Sequence, residues 1–267
     1  QMVGKTKRVH RPHGQSAGPV SRVTGPHVTL SPIRSMNVNQ NPRPGPGSRT
    51  VEIVRFPRRM PYNEIYAMQI QRRNAIERGE SGNALFIVEH EPVITLGRNF
   101  QPSSLLHTRE RLAELGVEVC SVDRGGDATY HGPGQLVAYP VLDLNQWTPS
   151  IKWYLRKLEE VIIAVLARYG LAGERLEGHT GVWVGGAKVA AIGIGLHNWV
   201  TFHGIAINVD PDMAHFGLIV PCGIVDKPVT SLRQLLGNPP PLDEVADVFA
   251  ACFAKILACA KTSKPAV

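Results

Sequence analysis

Residues 124–140, Arg-Gly-Gly-Asp-Ala-Thr-Tyr-His-Gly-Pro-Gly-Gln-Leu-Val-Ala-Tyr-Pro, set four glycines among polar side chains able to bind or orient a ligand. Glycine is costly inside regular structure and favoured where backbone turns sharply or comes close to a ligand. With Arg124, Thr129, Tyr130 and His131 beside those glycines, the segment reads as a binding loop between two strands. A second glycine-rich island runs from 185 to 195. It is followed by His203-Gly204-Ile205-Ala206-Ile207-Asn208-Val209 and by Val220-Pro221-Cys222-Gly223-Ile224. Together these stretches offer a nucleophile, a cation and shaped backbone.

Cys222 lies outside any periodic apolar pattern, between a proline and a glycine. Thiolate is the reactive form of cysteine, and a nearby ammonium favours it. Lys188 interrupts an apolar, glycine-rich strand, where a lysine is expensive unless paired. From periodicity alone, it fits an ammonium partner and the exposed end of a hairpin equally well. Cys120, Cys252 and Cys259 fall in apolar or helical patterns and read as small buried hydrophobes. The four cysteines have neither metal-ligand spacing nor the density of a secreted scaffold, which favours a reducing compartment. His131 and His203 each fit a site role or a structural one, His131 being the better site candidate. No histidine spacing suggests zinc, so no metal is expected.

The elements that must position these groups alternate irregularly. Segments 51–56, 84–89, 93–96, 117–122, 136–142, 181–184, 188–196 and 202–209 have strand patterns. Ser150 is an expected N-cap for a helix to Tyr169, with an apolar stripe of Leu155, Leu158, Ile162, Val165 and Leu166. Asp243 is expected to open another helix, and a third should run from near Asn63 to a stop at Gly79. Without strict βαβ alternation, the fold class is α/β (α+β), with mixed, largely antiparallel sheets flanked by helices.

Bulk properties bound the class without choosing an activity. A length of 267 residues with 43% hydrophobic content supports a substantial core. No apolar run reaches the roughly 18 residues that span a bilayer, and no secretory signal is evident, so a soluble chain is expected. Residues 1–51 hold eight Lys/Arg and no Asp/Glu, leaving 21 basic against 22 acidic residues afterwards, so the +7 excess lies in this segment. Three readings of it stay open: an extension without function (Met36 can start a shorter chain), an organelle transit peptide, or a basic arm. Nucleic-acid binding is the weakest, since no aromatics interleave the charges. The expected organisation is a disordered tail at 1–49, a single catalytic domain at 50–262 and a short tail at 263–267.

Across roughly residues 51–240, the chain resembles the lipoyl(octanoyl) transferase family. The resemblance rests on residues 124–135, Thr180-Gly181-Val182-Trp183-Val184, Lys188 with Ala191-Ile192-Gly193, His203-Gly204-Ile205-Ala206, Pro221-Cys222-Gly223-Ile224 and Val229-Thr230-Ser231-Leu232, in the family's order. It implies the fold of the biotin and lipoate protein ligase catalytic domain. It also implies that Cys222 and Lys188 are the catalytic pair. The substrate pocket would be lined by Arg124, Gly125, Gly126, Asp127, Ala128, Thr129, Tyr130 and His131, by Ala191, Ile192 and Gly193, and by His203, Gly204, Ile205 and Ala206.

The chemistry so implied is octanoyl transfer from octanoyl-acyl carrier protein to a lysine of a lipoyl domain, through a Cys222 thioester. Acceptors would be the lipoyl domains of 2-oxoacid dehydrogenase complexes and the glycine cleavage H protein. No cofactor, nucleic acid or membrane partner is implied, and a monomer in the cytoplasm is expected, or in a mitochondrion or plastid if the host is eukaryotic. Arg55, Arg58, Arg59, Arg72 and Arg73, or Lys152, Arg156 and Lys157, could form a basic patch for an acidic carrier. The competing readings are an ATP-dependent lipoate or biotin ligase, a non-catalytic binding scaffold and a thiol hydrolase. No Gly-x-x-x-x-Gly-Lys-Ser/Thr loop is present to support the first by itself.

Overall fold

The computed structural model describes residues 49–220 and 227–265; residues 1–48, 221–226 and 266–267, Cys222 among them, lie outside the described residues. In chain order the elements are β1 (Thr50–Arg55), α1 (Tyr62–Glu77), β2 (Asn83–Val88), β3 (Val93–Leu96), α2 (Arg109–Glu114), β4 (Glu118–Ser121), β5 (Ala128–His131), β6 (Gln135–Val141), α3 (Ile151–Ala167), β7 (Glu174–Leu176), β8 (His179–Val184), β9 (Ala187–His197), β10 (Val200–Asn208), α4 (Leu232–Leu236), α5 (Leu242–Ile256) and β11 (Ala260–Pro265).

Eight strands form one sheet in the order β11-β1-β2-β6-β10-β9-β8-β7, and a second sheet has the order β4-β3-β5. Among the described strands, only the β11–β1, β1–β2 and β3–β4 pairs are parallel. The expected mixed, largely antiparallel α+β architecture is therefore present. Every residue of β2 and β6 is buried, because both faces of the large sheet are covered. The period of two sends Leu85, Ile87, Leu136 and Ala138 toward α3 and α5, and Phe86, Val88, Val137 and Tyr139 toward α1.

Helix α3 starts where expected, with the Ser150 hydroxyl accepting from the Trp153 amide. It buries Tyr154, Leu158, Val161, Ile162, Val165 and Leu166. Gly79, at φ 71°, follows the end of α1. Helix α5 begins at Leu242 with Pro241 as its N-cap, so Asp243 lies in its first turn instead of opening it. Strands β5, β7 and β11 were not expected from the sequence. β11 runs to Pro265, so the expected domain end at 262 falls inside it. The three cysteines that can be placed are half-buried: Cys252 and Cys259 pack against the main core, whereas Cys120 lies near α1 with its thiol donating to Asn63 Oδ1 at 3.6 Å. Burial pushes the Cys120 thiol up to about 12, which keeps it protonated and unreactive.

Candidate active site

A cavity opens where β9 and β10 pass beneath the 124–126 segment. It is lined by Tyr62, Arg124, Gly125, Gly126, Thr129, His131, Tyr139, Ala191, Ile192, Gly193, His203, Gly204, Ile205 and Ala206. The antiparallel register sets Gly204 opposite Gly193, Ile205 opposite Ile192 and Ala206 opposite Ala191, so one six-residue block of sheet forms a wall. A side chain at Gly204 would collide with its surroundings, and one at Gly193 would crowd them. A Cβ at Gly204 would strike the Ala138 carbonyl and come within 2.7 Å of Pro140 Cδ, while one at Gly193 would reach Arg124 Cδ at 3.0 Å. Close strand packing thus requires glycine at 204, and passage of the Arg124 side chain makes any side chain at 193 a tight fit.

The expected binding loop is partly a strand, and this sorts its residues. In β5 successive side chains point to opposite faces: Thr129 and His131 enter the cavity, while Ala128 and Tyr130 join the apolar cluster of Ile94, Leu96, Leu112 and Ile219. Tyr130 stacks on His215, with ring centroids 4.8 Å apart. Asp127 also points away from the cavity. Its carboxylate accepts from the amides of Gln101 at 3.1 Å and Ala128 at 2.8 Å, and from the Ser104 hydroxyl, which tethers the loop. The structure therefore brings twelve of the fifteen residues expected in the pocket to its wall and leaves out Asp127, Ala128 and Tyr130.

Two lining residues, Tyr62 and Tyr139, were not anticipated. Tyr62 begins a stripe on α1 that continues through Tyr66, Gln69 and Arg73, a helical spacing of one face. The stripe holds His203: Gln69 Oε1 accepts from the His203 amide at 2.7 Å, the Tyr66 ring stacks on the imidazole at 5.2 Å, and Tyr62 Oη lies 3.3 Å from Nδ1. Asp123 Oδ1 lies 3.1 Å from His203 Nε2 and accepts from Tyr66 Oη at 2.8 Å. A carboxylate only accepts, so Nε2 carries the proton and Nδ1 accepts from Tyr62. These contacts hold His203 at φ 56°, an unusual conformation for a residue with a side chain.

Burial sets the electrostatics. His131, whose Nδ1 is 2.8 Å from Gln135 Oε1, is driven down to about 3, with desolvation as the main cause and the neighbouring His90 second. His90 lies between Met60 O at 2.9 Å and Tyr139 Oη at 2.8 Å, and desolvation takes it down to about 4. Desolvation also lowers His203, opposed by Asp123. The hydrogen bond from His203 leads the effects that hold the Asp123 carboxyl at about 2. All three imidazoles are neutral at pH 7. The Arg124 guanidinium is buried and donates to Thr95 Oγ1 at 3.1 and 2.8 Å, Thr95 O at 2.6 Å and Gly125 O at 3.0 Å. It braces the loop. Apart from His203, the β9–β10 wall of Ala191, Ile192, Gly193, Gly204, Ile205 and Ala206 is aliphatic and glycyl, suited to a hydrocarbon chain.

Lys188 is buried on β9, three residues before the lining Ala191, and is not itself in the cavity wall. At the strand rise that separation is about 10 Å. The exposed-hairpin alternative is ruled out. The Lys188 amide donates to Pro228 O at 2.8 Å and its carbonyl accepts from Thr230 at 2.9 Å, so its backbone is joined to a segment starting six residues after Cys222. Cys222 itself lies outside the described residues.

Residues 61–254 match the family model described as the lipoyl protein ligase A/B catalytic domain. A protein of Chloroflexus aggregans named octanoyltransferase is 53% identical over 186 residues, covering 68% of this chain and 84% of the relative. Another of that name, from Thermosynechococcus vestitus, is 46% identical over 201 residues, covering 74% and 86%. The chain belongs to the octanoyltransferases of the lipoyl protein ligase A/B family. It is accordingly an acyltransferase enzyme.

Solved structures similar to this octanoyltransferase show the shared fold. A lipoate-protein ligase A bound with ATP has a TM-score of 0.65 at 16% identity, covering 82% of this chain and 89% of that one. A bi-partite lipoate protein ligase from Thermoplasma acidophilum gives 0.62 at 17%, covering 82% and 87%. Among the described residues of the transferase, no group of three His, Cys, Asp or Glu side chains could hold a metal ion. No described helix is long and apolar enough to cross a membrane. Much of the expected basic surface is engaged internally: Arg55 pairs with Asp247, Arg72 with Glu52, Arg73 with Glu77, Arg156 with Glu159 and Lys157 with Glu160.

Proposed function

We propose that the enzyme transfers an octanoyl group in two steps centred on Cys222, a thioester exchange followed by amide formation. The Cys222 thiolate attacks the thioester carbonyl of octanoyl-acyl carrier protein, the C–S bond to the carrier breaks, and the carrier thiolate leaves and takes a proton. The ε-amine of a lipoyl-domain lysine then attacks the enzyme thioester, expelling the Cys222 thiolate and losing one proton. The Lys188 ammonium favours the Cys222 thiolate in the first step and gives its proton to the departing carrier thiolate, and the Lys188 amine so formed accepts the proton of the attacking lysine in the second. No nucleotide is needed, because the acyl group arrives activated. The acceptors are the lipoyl domains of 2-oxoacid dehydrogenases and the glycine cleavage H protein, and the catalytic unit of residues 50–262, with β11 completing its edge, acts as a monomer.

The observation that carries this reading is the cavity, whose histidines are held neutral and whose β9–β10 wall is glycyl and aliphatic, on the strand that bears Lys188. Burying octanoyl methylenes there supplies about 0.8 kcal/mol each. The cavity also supports Arg124, Gly125, Gly126, Thr129, His131, Ala191, Ile192, Gly193, His203, Gly204, Ile205 and Ala206 as substrate-binding residues. The test is intact-mass measurement after incubation with octanoyl-acyl carrier protein. A hydroxylamine-labile octanoyl adduct is expected on the wild type and none on Cys222→Ser. An adduct on the variant, or activity from free octanoate and ATP, would overturn the mechanism.

A further inference from the structure

Trp183 is among the largest fully buried side chains of the protein, yet it belongs to none of its three apolar clusters. Its indole Nε1 is buried and, among the described residues, has no hydrogen-bond partner. A buried indole N–H usually finds one, so plain core packing explains this position poorly. What the ring does contact is Lys188, whose Nζ lies over its face 5.2 Å from the ring centroid.

The backbone has been adjusted to make that contact. Strands β8 and β9 pair Val182 with Ala190, a register that would continue with Trp183 opposite Val189. The ladder slips by one residue between Val182 and Trp183, and Trp183 instead faces Lys188. Directly opposed residues share a face and touch, and bulges of this kind re-aim side chains beside functional sites. Gly181, next to the slip, has φ 130°. A Cβ there would lie 2.8 Å from Lys188 Cε and 2.6 Å from the Ala190 carbonyl. The missing side chain is the space through which the lysine stem runs.

We infer that Gly181 and Trp183 form a seat that fixes the Lys188 ammonium, making Trp183 a positioning residue for acylation of Cys222. The inference rests on the proposed role of Lys188. Gly181 leaves room for the stem, the indole face attracts the charged head, and the register slip brings the two strands into the required alignment. The indole face attracts an ammonium and so fixes where it sits, and an ammonium held in place favours a neighbouring thiolate. The other titratable groups facing the indole are His179, with ring centroids 6.3 Å apart, and Glu174, its cross-strand partner on β7.

The experiment measures the rate of octanoyl adduct formation from octanoyl-acyl carrier protein against pH for wild type, Trp183→Leu and Trp183→Phe, each checked for folding by circular dichroism. Trp183→Leu is expected to acylate about tenfold more slowly at neutral pH, with the acidic limb of its profile displaced upward by about one pH unit. Trp183→Phe, which keeps a ring face, should retain most of the rate and the wild-type limb. A uniform loss with an unmoved limb, or equal losses in both variants, would overturn the inference. If Trp183→Leu fails to fold, Gly181→Ala takes its place, with the same displacement expected and an unmoved limb overturning the idea. Absence of any hydroxylamine-labile adduct on the wild type would instead remove the Cys222 mechanism, and the seat's function with it.

Discussion

Acid should destabilise this protein well before its carboxylates matter, because two histidines are held neutral by burial. His131 sits at about 3 and His90 at about 4, against an ordinary value near 6.5. Between those values the unfolded chain binds a proton that the folded chain refuses, so stability falls as pH drops through 6.5 and goes on falling toward the folded values. At pH 5 each group has lost about 1.5 pH units' worth, roughly 2 kcal/mol, or roughly 4 kcal/mol for the pair. That is a large share of the roughly 5–15 kcal/mol that stabilises a domain. Asp123, at about 2, stays ionised throughout this window. Urea melts at pH 7.5, 6 and 5 should show the midpoint dropping steeply, and His131→Asn should flatten the pH dependence by about half while lowering stability at pH 7.5. A midpoint unchanged between pH 7.5 and 5 would refute the account of the buried imidazoles.

Arg124→Lys removes a fork that donates to Thr95 and Gly125, and an ammonium cannot reproduce it; a stability loss of about 2–4 kcal/mol should appear in thermal melts. Ala206→Leu should fill the cavity beside Ala191, lowering octanoyl transfer relative to hexanoyl transfer in competition between the two thioesters. An unchanged ratio would place the acyl chain elsewhere.

Eight strand segments and helix α3 were legible because their apolar periods and the Ser150 cap are local signals. β11, Ala-Lys-Thr-Ser-Lys-Pro, is an edge strand and so carries polar residues and a terminal proline that mask its pairing with β1. β5 was hidden by its four-residue length among glycines, and missing it also meant missing that Ala128 and Tyr130 face away from the cavity. The α1 face was obscured for a different reason. Tyr62, Tyr66 and Gln69 point inward to clamp His203, so the helix lacks a clean apolar stripe. A polar and aromatic residue series at 62, 66, 69 and 73 was the available signal.

The parallel pairing of Thr50 with Ala260 joins residues 210 positions apart at one margin of the large sheet. During synthesis on the ribosome, β1 emerges with its outer hydrogen-bonding row unsatisfied, and its permanent neighbour follows 210 positions later. The nascent protein therefore carries an open strand margin while all the intervening elements are made, a period in which chaperone capture or pairing with a second nascent chain competes with correct closure.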